Sequence, residues 1–193
     1  REIGERPNGI YVPRFRNVSA KHPDFIRAYA FQGAAGRDGW GAALRGPGIG
    51  VALKQRLREL GPWSMSFWGF GEVLPNPANR ATIHPTLVDK WGIPSLHIEC
   101  RWGENDLAIH RDMNITAVEL LEAAGATKIE PNDGPSTPGG TNHEMGSARM
   151  GRDPKTSVLN GWNQSWDVPN LFVTDGAAMT SSGCQNPSLT YMA

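Results

Sequence analysis

Residues 95–125 read SLHIECRWGENDLAIHRDMNITAVELLEAAG, and this stretch contains both periodicities that decide the fold. Over 95–102, Leu96, Ile98, Cys100 and Trp102 alternate with His97, Glu99 and Arg101, and a period of two predicts a half-buried strand. Over 105–124, Ile109, Met113, Ala117, Leu120, Leu121 and Ala124 recur at steps of three and four, with Gly125 following in the C′ position. That spacing predicts a helix with one apolar stripe. Such a strand leading directly into such a helix implies antiparallel strands with helices laid across one face. The expected class is α+β.

Upstream, residues 1–50 have turns at Pro7-Asn8-Gly9 and Gly46-Pro47-Gly48 and no clear apolar period, so a long, irregular, surface-hugging excursion is expected. Over 51–60, Leu53, Leu57 and Leu60 share a face while Lys54, Arg56 and Arg58 lie elsewhere, and Gly61-Pro62 stops the run. This predicts a short amphipathic helix. The aromatic-rich run 64–74 and residues 80–84 supply further strands. Downstream, 131–140 is a Gly/Pro/Ser/Thr linker and the expected domain boundary, separating 1–135 from 141–193.

The chain has 193 residues, with Lys plus Arg and Asp plus Glu at 19 each. Without a net field to draw in nucleic acid or an anionic membrane, a small neutral substrate suits the chain better. Gly (23) and Pro (15) make up about a fifth of the residues against a usual share of roughly an eighth, so loops are abundant. Two cysteines, Cys100 and Cys184, have neither the spacing of a CxxC pair nor the numbers of a disulfide scaffold or a metal site. No apolar run reaches the ~18 residues of a membrane span, and Arg1-Glu2-Ile3-Gly4 does not read as a signal peptide. The compartment, periplasmic or cytoplasmic, stays open.

Three places between 141 and 193 carry candidate chemistry. Val168-Pro169-Asn170-Leu171-Phe172-Val173-Thr174 reads as a short buried strand that Pro169 begins or edges, feeding into Asp175-Gly176-Ala177. An acidic side chain and free amides at a strand end can hold ribityl hydroxyls and a pyrophosphate, and a simple turn explains Asp-Gly equally well. Asn186-Pro187 is a helix start, with Asn as N-cap and Pro in the first helical position. Capping alone accounts for it. His143, in Asn142-His143-Glu144-Met145-Gly146, lies outside any strand or helix period and so in a turn, where an imidazole can serve as a base at neutral pH. The helix begun at Asn186 runs out at Ala193, so the chain is expected to be a fragment.

The blocks 143–151, 153–158, 170–177 and 185–190 (HEMGSARMG, DPKTSV, NLFVTDGA and QNPSLT) together resemble, in order, the carboxy-terminal segment of the glucose-methanol-choline (GMC) oxidoreductases. The resemblance implies an FAD enzyme that oxidises a CH-OH group, with hydride passing to flavin N5. It implies His143 as the base for the substrate hydroxyl and Asn186 as the second active-site residue, positioning the hydroxyl. Asp175, Gly176 and Ala177 match the block lying along the FAD, and Asn186, Pro187, Ser188 and Thr190 match the block at the isoalloxazine. Pro7-Asn8-Gly9-Ile10-Tyr11-Val12-Pro13-Arg14-Phe15 and Phe70-Gly71-Glu72-Val73-Leu74-Pro75 are similar to glucoside 3-dehydrogenase-like, sugar-oxidising members. Residues 1–135 are then the substrate-binding region, and 141–193 the return segment of the FAD-binding domain. Gln185, Trp68 and Trp102 become candidates to touch a sugar ring, with core packing the alternative for the tryptophans.

The family's Gly-rich dinucleotide fingerprint is absent. Gly46-Pro47-Gly48-Ile49-Gly50-Val51 has its first two glycines but Val at the sixth position and no strand before it. Two other readings therefore stay open: a non-redox lyase on the same fold, and a non-catalytic carbohydrate-binding module suggested by seven tryptophans. The electron acceptor, whether oxygen, a quinone or an acceptor protein such as a cytochrome, is also open.

Overall fold

The computed structural model describes residues 9–37, 41, 44, 48–59, 61–132 and 134–193. The turns expected at Pro7-Asn8-Gly9 and Gly46-Pro47-Gly48 lie partly outside these residues, as does Leu60 of the first expected helix.

Strands β1 (Gly9–Val12), β2 (Tyr29–Arg37) and β3 (Trp63–Gly71) form an antiparallel sheet with β2 in the centre. This corrects the expected irregular excursion over 1–50, because Tyr29 (0% exposed), Ala30 and Phe31 (1%), among the most buried of the described residues, lie in β2. The stretch that follows, Gln32-Gly33-Ala34-Ala35-Gly36, ahead of the terminal Arg37, consists of small residues and one amide, so it shows neither the bulk nor the alternation that marks a strand. It is held in the sheet by its partners. Unbroken pairing runs from Tyr29 opposite Gly71 to Arg37 opposite Trp63.

Helix α1 (Gly50–Arg58) ends before Gly61-Pro62 as expected. Strands β4 (Arg80–Val88) and β5 (Pro94–Glu99) form a separate antiparallel ribbon. Ala81 lies opposite Ile98, and Ile83 opposite Leu96, so the apolar alternation puts these four side chains on one face. That face is not buried as the alternation predicted: Leu96 is 65% exposed and Ile98 61%.

Helix α2 (Glu104–Ala123) follows the predicted stripe, with Gly125 just beyond it at φ +85°. Its start is fixed by the Asp106 carboxylate, which accepts from the Gly103 N–H (2.8 Å) and the Leu74 N–H (3.2 Å) where the helix dipole favours negative charge. Ala108 and Ile109 pack with Phe25, Tyr29 and Phe31, flanked by Val12, Phe67, Met113, Ala117 and Leu120. Each fully buried aromatic here contributes roughly 2–3 kcal/mol by leaving water. The helix can lie close to β3 because Gly69 and Gly71 present no side chain to Met113 and Ile109. At the edge of this core Tyr29 donates its hydroxyl to Asp112, which also accepts from Arg16 at 2.8 Å. Thr116 closes the group at 3.1 Å from the phenol.

Beyond α2 the chain is held mainly by paired loops. The amides of Gly146, Ala148 and Met150 donate to the carbonyls of Gly176, Ala177 and Ala178, a ladder that lays the 146–150 segment along the 3-10 turn Gly176–Ala178. Leu159 and Ala178 are buried. The expected buried strand over 168–174 does not form. One bridge joins Gln164 to Phe172, which is 55% exposed. The Ser165 and Val173 amides make that bridge by donating to the Leu171 and Asn163 carbonyls, and Pro169 has no N–H with which to extend it into a ladder. The last helix, α3, runs Ser188–Met192 with Pro187 as its cap residue and no side-chain cap. Its start is thus one residue later than the Asn-Pro signal implied. The Pro187 carbonyl receives the Thr190 and Tyr191 amides, and the Asn186 side chain takes no part.

A close approach joins three of these segments. A Cβ added to Gly176 would lie 2.7 Å from both the Glu144 carbonyl and the Tyr191 hydroxyl, and 3.1 Å from the Met145 sulfur.

Two outcomes follow for stability. Gly176→Ala should destabilise the protein by about 1–3 kcal/mol through overpacking in thermal unfolding, whereas Gly161→Ala, with open space around its Cβ position, should be near neutral. Burial, reinforced by the Asp112 hydrogen bond, pushes the Tyr29 phenol above its ordinary value of 10.0. The neutral form is favoured in the fold, so its contribution is complete below about pH 10 and is lost as pH rises through the folded value. Urea unfolding between about pH 10 and 12 should therefore show a steeper loss in the parent than in Tyr29→Phe. At neutral pH that substitution should cost about 1 kcal/mol for the lost hydrogen bond.

Candidate active site

The Gly176 approach brings together the three blocks in which the sequence placed its chemistry. Glu144 and Met145 follow His143 directly, Gly176 belongs to the Asp175-Gly176-Ala177 turn, and Tyr191 lies in the helix that follows Asn186 and Pro187. The Tyr191 hydroxyl donates to the Met145 sulfur at 3.4 Å. Tyr191 carried no signal in the sequence beyond being the one aromatic residue of that final turn.

His143 is half-buried in a segment without regular structure, as its sequence context predicted. Its ring has no hydrogen-bond or ion-pair partner among the described residues, while Glu144 beside it accepts from the Thr141 hydroxyl at 2.6 Å. Asn186 is exposed, and its side chain is likewise unpartnered among the described residues. Capping therefore does not explain Asn186. Asp175 does cap a turn: its Oδ1 accepts from the Ala177 amide at 2.9 Å. Its residue is exposed, leaving the other carboxylate oxygen free to accept.

Gln185 lies against the three-stranded sheet rather than in the Gly176 cluster. Its Nε2 donates to the Tyr11 hydroxyl at 2.7 Å, and Gln32 Nε2 reaches the Cys184 carbonyl at 3.4 Å. Tyr11, Gln32 and Trp68 are directly opposite one another across β1, β2 and β3, so their side chains share one face. It is the face opposite Tyr29 and Phe31, and Trp68 there is 56% exposed. Neither Tyr11 nor Gln32 had been singled out in the sequence. The register that aligns them depends on a strand that carries no readable period. A cavity of about 210 Å³ lies beside this contact, lined by Arg14, Ala28, Glu72 and residues 182–185. A larger groove of about 520 Å³ against α2, lined by His22, Asp24, Glu104 and Arg111 among others, contains none of the expected site residues.

Trp102 is not part of this grouping. Its indole N–H donates to the Ser136 carbonyl at 2.8 Å and fastens the linker to the end of β5. Burial pushes the Cys184 thiol up from its ordinary value, and both cysteines are free thiols. Among the described residues no three His, Cys, Asp or Glu side chains cluster as metal ligands, and no helix is long and apolar enough to cross a membrane.

A family model described as GMC oxidoreductase matches residues 75–193. A 2-methyl-1,2-propanediol dehydrogenase of Mycolicibacterium austroafricanum is 42% identical over 123 residues, covering 63% of this chain and 22% of the relative. The large subunit of a fructose dehydrogenase of Gluconobacter japonicus is 33% identical over 150 residues, covering 75% of this chain and 26% of the relative. A C-glycoside 3-oxidase of Arthrobacter globiformis is 35% identical over 118 residues, covering 60% of this chain and 22% of the relative. The chain thus spans about a quarter of the length of these relatives. With the model matching well over half of it, through all the blocks gathered around Gly176, the chain belongs to the GMC oxidoreductase family.

Proposed function

We propose that this chain is the substrate-side and active-site portion of an FAD-dependent enzyme that oxidises a CH-OH group of a sugar or another small alcohol. The observation that carries the reading is the convergence at Gly176 of the segments bearing His143 and Asn186, two side chains that can hydrogen-bond and have no partner among the described residues. In this reading His143 takes the proton of the substrate hydroxyl onto a ring nitrogen, and Asn186 holds the hydroxyl oxygen through its side-chain amide. Residues 1–135 bind the substrate, with Trp68 and Gln185 on the sheet face described above. Trp102 acts through the linker that it fastens. Residues 141–193 form the flavin side.

The donor set suits an FAD. The exposed Asp175 keeps one oxygen for ribityl hydroxyls, beside Gly176 and Ala177. At the other end Asn186, Pro187, Ser188 and Thr190 form a polar turn in which the Ser188 and Leu189 amides take no part in the helical bonds made to Pro187. Bound there, FAD supplies hydride acceptance at N5. Relatives named for 2-methyl-1,2-propanediol, fructose and C-glycosides support small polyhydroxyl substrates.

The holoprotein should bleach its flavin anaerobically when given 2-methyl-1,2-propanediol, fructose or a C-glycoside, followed by stopped-flow absorbance. His143→Ala should slow that reduction roughly a hundredfold or more, as expected for loss of a general base. Reduction of the variant at the parental rate would overturn the assignment of His143.

A further inference from the structure

Asn186 makes no side-chain hydrogen bond of its own to the described residues, yet an amide that holds a substrate hydroxyl has to be kept within a few tenths of an ångström of its working position. The chain just before it is held to the three-stranded sheet through two successive residues, Cys184 and Gln185. Gln185 gives its Nε2 hydrogen to the Tyr11 hydroxyl at 2.7 Å. The Cys184 carbonyl accepts from Gln32 Nε2 at 3.4 Å, and the Cys184 side chain faces the backbone of Ala30. Ala30 and Gln32 are alternate residues of β2, and Tyr11 is the cross-strand neighbour of Gln32. The Tyr11 and Gln32 contacts therefore fall on the face that carries Trp68.

Resting on the reading that Asn186 holds the substrate hydroxyl, we propose that Tyr11 and Gln32 are positioning residues that set Asn186 over the substrate face of the sheet by holding the 184–185 backbone and the Gln185 amide. The two residues touch neither flavin nor the reacting atoms in this assignment. They fix the register between the sheet that receives the substrate and the loop that completes the site.

The test uses the holoprotein and whichever of the three substrates above bleaches the flavin fastest. Tyr11→Phe and Gln32→Leu should each lower the limiting rate of flavin reduction about threefold to tenfold, the size expected for one hydrogen bond of this kind. In an Asn186→Ala background each should change the rate less than twofold, because the group that they position is gone. A full effect persisting in that background, or no effect in the parent, overturns the proposal while leaving the role of His143 intact. If Asn186→Ala itself reduces at the parental rate, the assignment of Asn186 fails and the proposal falls with it. Thermal unfolding of the single variants separates a local shift from a loss of fold. Should Tyr11→Phe fail to fold, Gln32→Leu decides by the same comparison.

Discussion

Glycine at position 176 allows a backbone carbonyl from the His143 segment, a tyrosine hydroxyl from the final helix and a methionine sulfur to occupy the space that any other residue would fill with its Cβ. The carboxy-terminal half of the structure is organised around that contact. With little regular secondary structure of its own, this half depends on backbone bonds between loops: the 146–150 amides on the 176–178 carbonyls, and the Arg149 carbonyl receiving both Val158 and Leu159. Such ladders form only if the strands of loop can approach to hydrogen-bond distance. The side-chain-free position at their crossing permits this approach.

The amino-terminal half is built on the opposite principle. Its core is a layer of aromatics, Phe25, Tyr29, Phe31 and Phe67, between the sheet and α2, closed at one edge by Arg16, Asp112, Tyr29 and Thr116. Burial of apolar area holds this half, and polar groups appear where the core meets solvent. The two halves meet at the contact between residues 184–185 and the β1–β2 face, so a few hydrogen bonds set how a rigid sheet faces a loop-built site.

What could be read in the sequence follows the same division. The 105–124 helix and the ribbon strands announce themselves because their side chains repeat at the period of the element. β2 does not, since half of it is glycine and alanine and its conformation is imposed by the strands on either side. The exposure of the ribbon's apolar face is not legible in the sequence, because alternation reports which side is apolar and says nothing of what covers it. In the site, the residue types and block order pointed to His143 and Asn186, but a later helix start was needed to show that Asn186 is free of capping duty. Tyr11 and Gln32 were illegible because their relevance comes from a cross-strand register and from a contact with residues more than 150 positions away.

Cys184 sits in the middle of the contact that joins the two halves, and its surroundings bear on durability as well as geometry. Burial raises its thiol pKa, so little thiolate is present at neutral pH and the sulfur is a slow nucleophile toward oxidants and electrophiles. The loop is thereby guarded against oxidation at its one cysteine. The packing that joins the two halves also makes that position chemically quiet.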